Sequence, residues 1–330
     1  MKLASLKAGG RDGTLIVVDS RLTRAVAVTA IAPTLQAALE HWDEIAPLLD
    51  ATAIALEADR IADAFPLVPD ELASPLPRSF QFLDGSVYLH HMLRARRARG
   101  AAMPADYETV PLMYQGLSAA FRGPTEPMPL PSEDLEIDCE AEIAVILDDV
   151  PMGVPAEAAA AHIKLVMLMN DFTCRALTRS EVPRGFGFVQ SKPTSSFSPV
   201  AVTPASLGRA WDGRCLHGRL VTTINGRLLG SPDAGRDMFF TYPQLIAHAA
   251  RTRDLPAGTI IAAGAVSNRD PATGHGCIAE ARVEEADRGG QASTAWLRFG
   301  DIVRIEMCNS DGRSIFGAIE QAITPSATAA

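Results

Sequence analysis

The stretch LEIDCEAEIAVILDDV, Leu135 to Val150, constrains this chain more than any other. Its residues alternate as on a β-strand, where successive side chains point to opposite faces. Cys139, Ala141, Ile143, Val145 and Leu147 share one face. Glu136, Asp138, Glu140 and Glu142 begin the other, which turns apolar only at Ala144 and Ile146. Glu140 and Glu142 then sit on one side with Cα atoms roughly 6.5–7 Å apart. Carboxylates that close repel. Either this face meets solvent at a sheet edge, or a hard divalent cation lies against it and removes the repulsion. The second reading needs one more oxygen ligand. Asp171 offers it at the end of the apolar run VMLMN, where a charge needs a reason. Taken alone, Asp171 reads equally well as the cap of a helix or strand end.

With 330 residues the chain can bury a large core, in one large domain or two. Its net charge of −9 and the lack of a long basic run argue against sequence-independent nucleic-acid binding. The one basic cluster, RARRARG, holds Arg94, Arg96, Arg97 and Arg99. No apolar run is long enough to cross a membrane, and no signal peptide is visible. Five scattered cysteines without a C-x-x-C pair fit a reducing cytoplasm. Walker loops, H-E-x-x-H and G-x-S-x-G are absent, and GFGFVQS lacks the third glycine of a dinucleotide fingerprint.

Patterning predicts an α+β, β-rich chain. TLIVVDS and RAVAVTA read as a strand pair, and PTLQAALEHWDEIAPLLDATA as a helix ending near Leu49. The proline-rich FPLVPDELASPLPRS reads as a linker, which places a boundary near residue 75: a small α+β unit over 1–75 and the rest over 76–330. Beyond it, helices are expected in VYLHHMLRARRARG, PAEAAAAHIKL and TYPQLIAHAARTRD. Asn225-Gly226 marks a hairpin. GTIIAAGAVSN, CIAEARVEE, AWLRFGDIVRIEM and SIFGAIEQAI are short segments of a β-rich region, and the tail TPSATAA reads as frayed.

DCEAEIAVIL, VMLMNDFTCRAL, GFGFVQSKPTSSFSP, GTIIAAGAVSN and GDIVRIEM occur in that order. The series resembles the fumarylacetoacetate hydrolase family over roughly residues 80–325, and the separate N-terminal region is similar to its two-domain bacterial members. The resemblance implies a mixed β-roll with a smaller N-terminal domain, a homodimer, and a divalent cation, Mg²⁺ first, with Mn²⁺ or Ca²⁺ as alternatives. It implies Glu140, Glu142 and Asp171 as ligands. Asp84, seven residues before His91, is a fourth.

The activity implied is hydrolysis of a C–C bond in a 1,3-dicarbonyl acid such as fumarylacetoacetate or an acylpyruvate, as in the breakdown of tyrosine and other aromatic compounds. His91 would be the base, Glu280 its partner, and Lys192 a charge beside the developing oxyanion. Arg175, Arg96 and Tyr114 would bind substrate. His90 is expected to be structural, and the other arginines of the cluster to form a solvated helix face. The sequence departs from the family at Thr178, Val182 and Ala265, where a Gln, a Tyr and a hydroxyl residue are expected. Lost polar contacts change which substrate is accepted more than whether chemistry occurs. Two competing readings remain: an isomerase, hydratase or decarboxylase of a 2-oxo acid on the same metal site, or a ligand-binding protein that has lost catalysis.

Overall fold

The computed structural model describes residues 1–98 and 100–327; Arg99 and the last three residues of the TPSATAA tail lie outside them. At its centre is Ala141–Leu147, a strand buried at every position. Its faces feed two cores. Ala141, Ile143, Val145 and Leu147 pack in one, and Ala144 and Ile146 in the other. Burial on both sides is why the strand runs almost continuously apolar past Glu142.

This strand pairs antiparallel with Ile163–Asn170 on one side and with Ile260–Ala262 on the other. Ile260–Ala262 pairs parallel with Phe82–Gly85, which pairs with Met113–Gln115. In the other direction, Ala201–Val202 bridges Ile163–Asn170 to Lys2–Leu6, and the sheet continues through Thr14–Val18, Arg24–Ala27 and Phe65–Pro66. The result is an 11-stranded sheet that the N-terminal strands extend directly. A separate five-stranded sheet contains the Leu220–Ile224 and Arg227–Gly230 hairpin. Asn225 and Gly226 turn it with φ of 51° and 74°, the left-handed pair that a two-residue turn of this kind requires. The β-rich α+β class read from the sequence is the one observed.

Among the described residues, seven α-helices flank the sheets: α1 (Leu35–Glu40), α2 (Trp42–Glu57), α3 (Leu89–Ala98), α4 (Ala156–Ala159), α5 (Arg175–Glu181), α6 (Tyr242–Ala249) and α7 (Ile278–Asp287). Several differ from the sequence reading. The first expected helix breaks at His41 and continues well past Leu49, because Leu49 and Leu56 lie two turns apart on one buried face. The proline-rich stretch is not a loose linker: Leu72, Ser74 and Leu76 are buried in it. The alanine-rich helix is only one turn, and its IKL end opens the Ile163–Asn170 strand, where both neighbours offer ladder partners. CIAEARVEE is helix α7 rather than a strand, started by a side chain described below. Thr324 and Pro325 are not frayed but close a strand paired with Met128–Leu130. The Phe82–Gly85 strand, next to the edge strand of the sheet, carried no clear signal because only four residues pair.

Candidate active site

The carboxylates come together where the central strands end. Asp84 leaves the Phe82–Gly85 strand, Glu142 opens Ala141–Leu147, and Asp171 follows Ile163–Asn170. Each is at most 3% exposed, and one oxygen of each lies within 4.8 Å of those of the other two. The Gly264 amide donates to Asp84 Oδ1 and to Glu142 Oε2, at 3.1 Å each. Gly264 can do this because its φ is +84° and a Cβ there would meet the Gly85 carbonyl at 2.6 Å. Burial first, then the charge of Asp171, pushes the Asp84 carboxyl up to about 8. Glu142 is raised well above the usual range by burial and by Asp84 and Asp171. Its Oε1 is buried with no hydrogen-bond partner. Three crowded oxygen donors, one of them orphaned, fit a hard divalent cation, which takes oxygen ligands.

Glu140 stands outside this trio. Arg175 donates to its Oε1 at 2.6 Å, and Lys192 donates to its Oε2. Burial opposes its ionisation, but the charges of Lys192 and Arg175 prevail and hold it well below the usual carboxylate range. Lys192 also donates to Asp171 Oδ2, and Tyr114 reaches the same oxygen at 2.8 Å. Ser195 donates to Asp171 Oδ1 at 2.9 Å, so both oxygens of Asp171 are already oriented. Burial opposes the charge of Lys192, but Asp171 and Glu140 outweigh it and push its pKa up. The row of carboxylates thus divides: Glu142 joins the crowded trio, and Glu140 anchors two cations.

His91, on α3, places Nδ1 2.8 Å from Glu280 Oε1, and its Nε2 lies 3.9 Å from Glu140 Oε1. Glu280 sits in the first turn of α7 and is 1% exposed. Burial opposes its charge too, yet His275, His91 and Arg94 bring its pKa down to about 2. His275 is no full partner, since its Nδ1 stops 3.8 Å from Glu280 Oε2. Helix α7 begins where it does because Asp138 accepts the backbone amides of Ile278 and Ala279 at 2.7 and 2.9 Å. The same side chain takes Arg175 Nε at 2.9 Å. Asp138 belonged to the carboxylate face of the strand in the sequence, but nothing there linked it to a helix 140 residues away.

Five of these groups, Asp84, His91, Tyr114, Glu140 and Lys192, border a cavity of about 250 Å³. Arg96 lines it while donating to the Ala102 carbonyl at 2.7 Å. Arg175 also lines it, with its guanidinium already committed to Asp138 and Glu140. Thr178, Val182 and Ala265 form part of the wall. His90 stays outside, accepting from Arg269 at 3.2 Å. Arg94 corrects the reading of a solvated arginine face: its side chain is 18% exposed and ion-paired with Glu280 and Glu284. Arg97 does face solvent, paired with Asp287.

A buried carboxylate trio beside a histidine–carboxylate pair, at the ends of a mixed sheet, defines an enzyme-type site suited to a divalent cation and a small acid. Residues 82–324 match the family described as Fumarylacetoacetate (FAA) hydrolase C-terminal, and residues 1–78 match Fumarylacetoacetase N-terminal domain 2. The chain belongs to the fumarylacetoacetate hydrolase family. It is 30% identical over 133 residues to the oxaloacetate tautomerase YisK of Bacillus subtilis, covering 40% of this chain and 42% of that one. It is 24% identical to the 2,4-didehydro-3-deoxy-L-rhamnonate hydrolase of Sphingomonas sp., covering 59% and 69%. Its fold is similar to that of maleylpyruvate hydrolase from Sphingobium sp. SYK-6, solved with manganese(II) and pyruvate, at a TM-score of 0.64 and 17% identity over 99% of this chain and all of that one. Among the described residues, no helix is long and apolar enough to cross a membrane.

Proposed function

We propose that this protein hydrolyses a C–C bond in an acylpyruvate-like 1,3-dicarbonyl acid, with a divalent cation at Asp84, Glu142 and Asp171. The observation that carries the reading is that His91, paired with Glu280, borders the same cavity as Asp84 of the carboxylate trio. A cation held there would supply Lewis-acid stabilisation of an enolate oxygen, with Mg²⁺ first to try and Mn²⁺ supported by the manganese-bound relative.

The chain's own residues do the rest. Glu280 fixes the proton on His91 Nδ1, which leaves the Nε2 lone pair free to accept one from a water molecule. That water adds to the acyl carbonyl carbon. The C–C bond to the adjacent carbon then breaks, its electron pair passes into the 2-oxo acid as an enolate, and a proton on that carbon completes the products, a carboxylic acid and a 2-oxo acid. Lys192, held cationic between Glu140 and Asp171, is a fixed positive charge beside the developing oxyanion. Arg96 and Tyr114 line the space where the acid end would lie. A homodimer, a cytoplasmic setting and a place in aromatic catabolism are part of this proposal, supported by the resemblance and the composition.

A second reading is tautomerisation, favoured by the name of the relative in Bacillus subtilis. His91 would then move a proton at the carbon next to the 2-oxo group, with no attacking water. Absorbance loss of fumarylacetoacetate and a set of acylpyruvates, followed with Mg²⁺ or Mn²⁺ and with product analysis, separates the two. Cleavage products that vanish in H91A support hydrolysis. Solvent deuterium entering an uncleaved 2-oxo acid supports tautomerisation, and an active H91A overturns both.

A further inference from the structure

Ala95, Arg175 and Thr178 line the catalytic cavity and also a second cavity of about 300 Å³ between α3, α5 and α7. Its far wall is apolar. Val283 and Ala286, one turn apart on α7, face it together with Trp296. The Trp296 ring is held rigid, with the Arg282 guanidinium stacked 4.6 Å from its centroid and tied in turn to the Thr294 carbonyl. Val283 and Trp296 are only half-buried and Ala286 is exposed, so this apolar surface is partly open.

We propose that this second cavity receives the distal acyl group of the substrate, and that the group is an aryl or branched alkyl one rather than a second acid. The inference rests on the dicarbonyl head lying at the carboxylate trio, and it names the substrate class of that site. Three observations support it. Thr178 borders both cavities, where the family resemblance leads one to expect the longer glutamine. The space is ample, because an apolar cavity of roughly 150 Å³ already takes a benzene ring. Two of the guanidiniums bordering it are already ion-paired, Arg175 with Asp138 and Glu140 and Arg179 with Glu136, while Arg282 lies over Trp296 and donates to the Thr294 carbonyl. A distal carboxylate such as that of a fumaryl group would have to compete with those partners.

The test compares kcat/KM for a phenyl-bearing acylpyruvate, acetylpyruvate and fumarylacetoacetate, in wild type and in A286W and V283W. Wild type is expected to favour the phenyl substrate at least tenfold over both others. Both variants should cut the phenyl-to-acetyl ratio at least tenfold. A ratio discounts any fraction of misfolded protein, and Ala286 is exposed enough to accept a larger side chain. A preference for fumarylacetoacetate, or ratios unmoved in both variants, overturns the proposal. If no dicarbonyl acid is turned over, the hydrolase reading falls. Calorimetry of the Mn²⁺-loaded protein then decides the subsite, with 4-phenyl-2-oxobutanoate against pyruvate. Tighter phenyl binding that A286W abolishes supports it, and equal binding overturns it.

Discussion

Replacing Glu280 by glutamine removes one negative charge and little volume. In the folded protein the Glu280 pKa is brought from 4.5 to about 2. At about 1.4 kcal/mol per pKa unit, folding favours its carboxylate over its neutral form by roughly 3 kcal/mol. The group is fully buried, so solvent screening removes little of this. E280Q should therefore be less stable than wild type by roughly 2–3 kcal/mol at pH 7. The sign of the pH dependence follows from a depressed folded-state pKa. The contribution is complete above about pH 5, shrinks as the unfolded carboxylate protonates near pH 4.5, and is lost as pH falls through about 2. By pH 3.5 the gap between the two proteins should have narrowed by roughly 1.4 kcal/mol. Urea unfolding at pH 7, 5 and 3.5, followed by tryptophan fluorescence and circular dichroism together, measures it where the two transitions coincide. On the proposed function, E280Q should also lower kcat at least tenfold, since His91 loses the carboxylate that orients it. Equal stability at pH 7, or a gap that is the same at pH 7 and 3.5, would refute the claim that Glu280 is a buried anion held by His91 and Arg94.

Three further outcomes can be measured directly. E142Q replaces a buried carboxyl whose ionisation is opposed by burial, Asp84 and Asp171, so the metal-free protein should melt at or above the wild-type temperature while the upward shift that Mn²⁺ gives wild type is lost; scanning calorimetry with and without Mn²⁺ reads both. G264A forces a side chain into a left-handed backbone site with a carbonyl 2.6 Å from its Cβ. It should cost about 1–3 kcal/mol in urea unfolding, and wild-type stability would mean that the Gly264 turn is not as described. The Glu181 carboxylate accepts the amides of Val189, Gln190 and Ser191 at 2.8–3.0 Å and has its pKa lowered to about 2. E181Q should speed amide exchange and proteolysis over 186–192. Wild type should show the same loosening as pH falls from about 4.5 toward 2, and E181Q should not change further.

The sequence carried the strand and its carboxylates because a period of two survives in Cys139 to Leu147 whatever lies on either side. Asp84 and His91 came from the family resemblance rather than from any pattern, since the short Phe82–Gly85 strand that delivers Asp84 left none of its own. What the sequence could not carry was the division of labour within the row. Glu140 and Glu142 look equivalent along the strand, and only the folded neighbours Arg175 and Lys192 distinguish them. Helix α7 was missed because its start depends on Asp138, remote in sequence, rather than on a local capping residue; Cys277 makes no side-chain cap. Arg94 was misread for the same reason: its partners Glu280 and Glu284 lie almost 190 residues on.

The central strand also bears on how this protein would fail. Asp84, Glu142 and Asp171 ride on strand ends gripped by two cores, whereas much of the cavity wall belongs to α3, α5 and the 182–192 segment, several of whose residues are exposed. Elements with few buried contacts open first. On gradual heating, recognition of the organic substrate should disappear while the grip on an ion persists, leaving over some range of temperature a protein that still chelates but no longer selects.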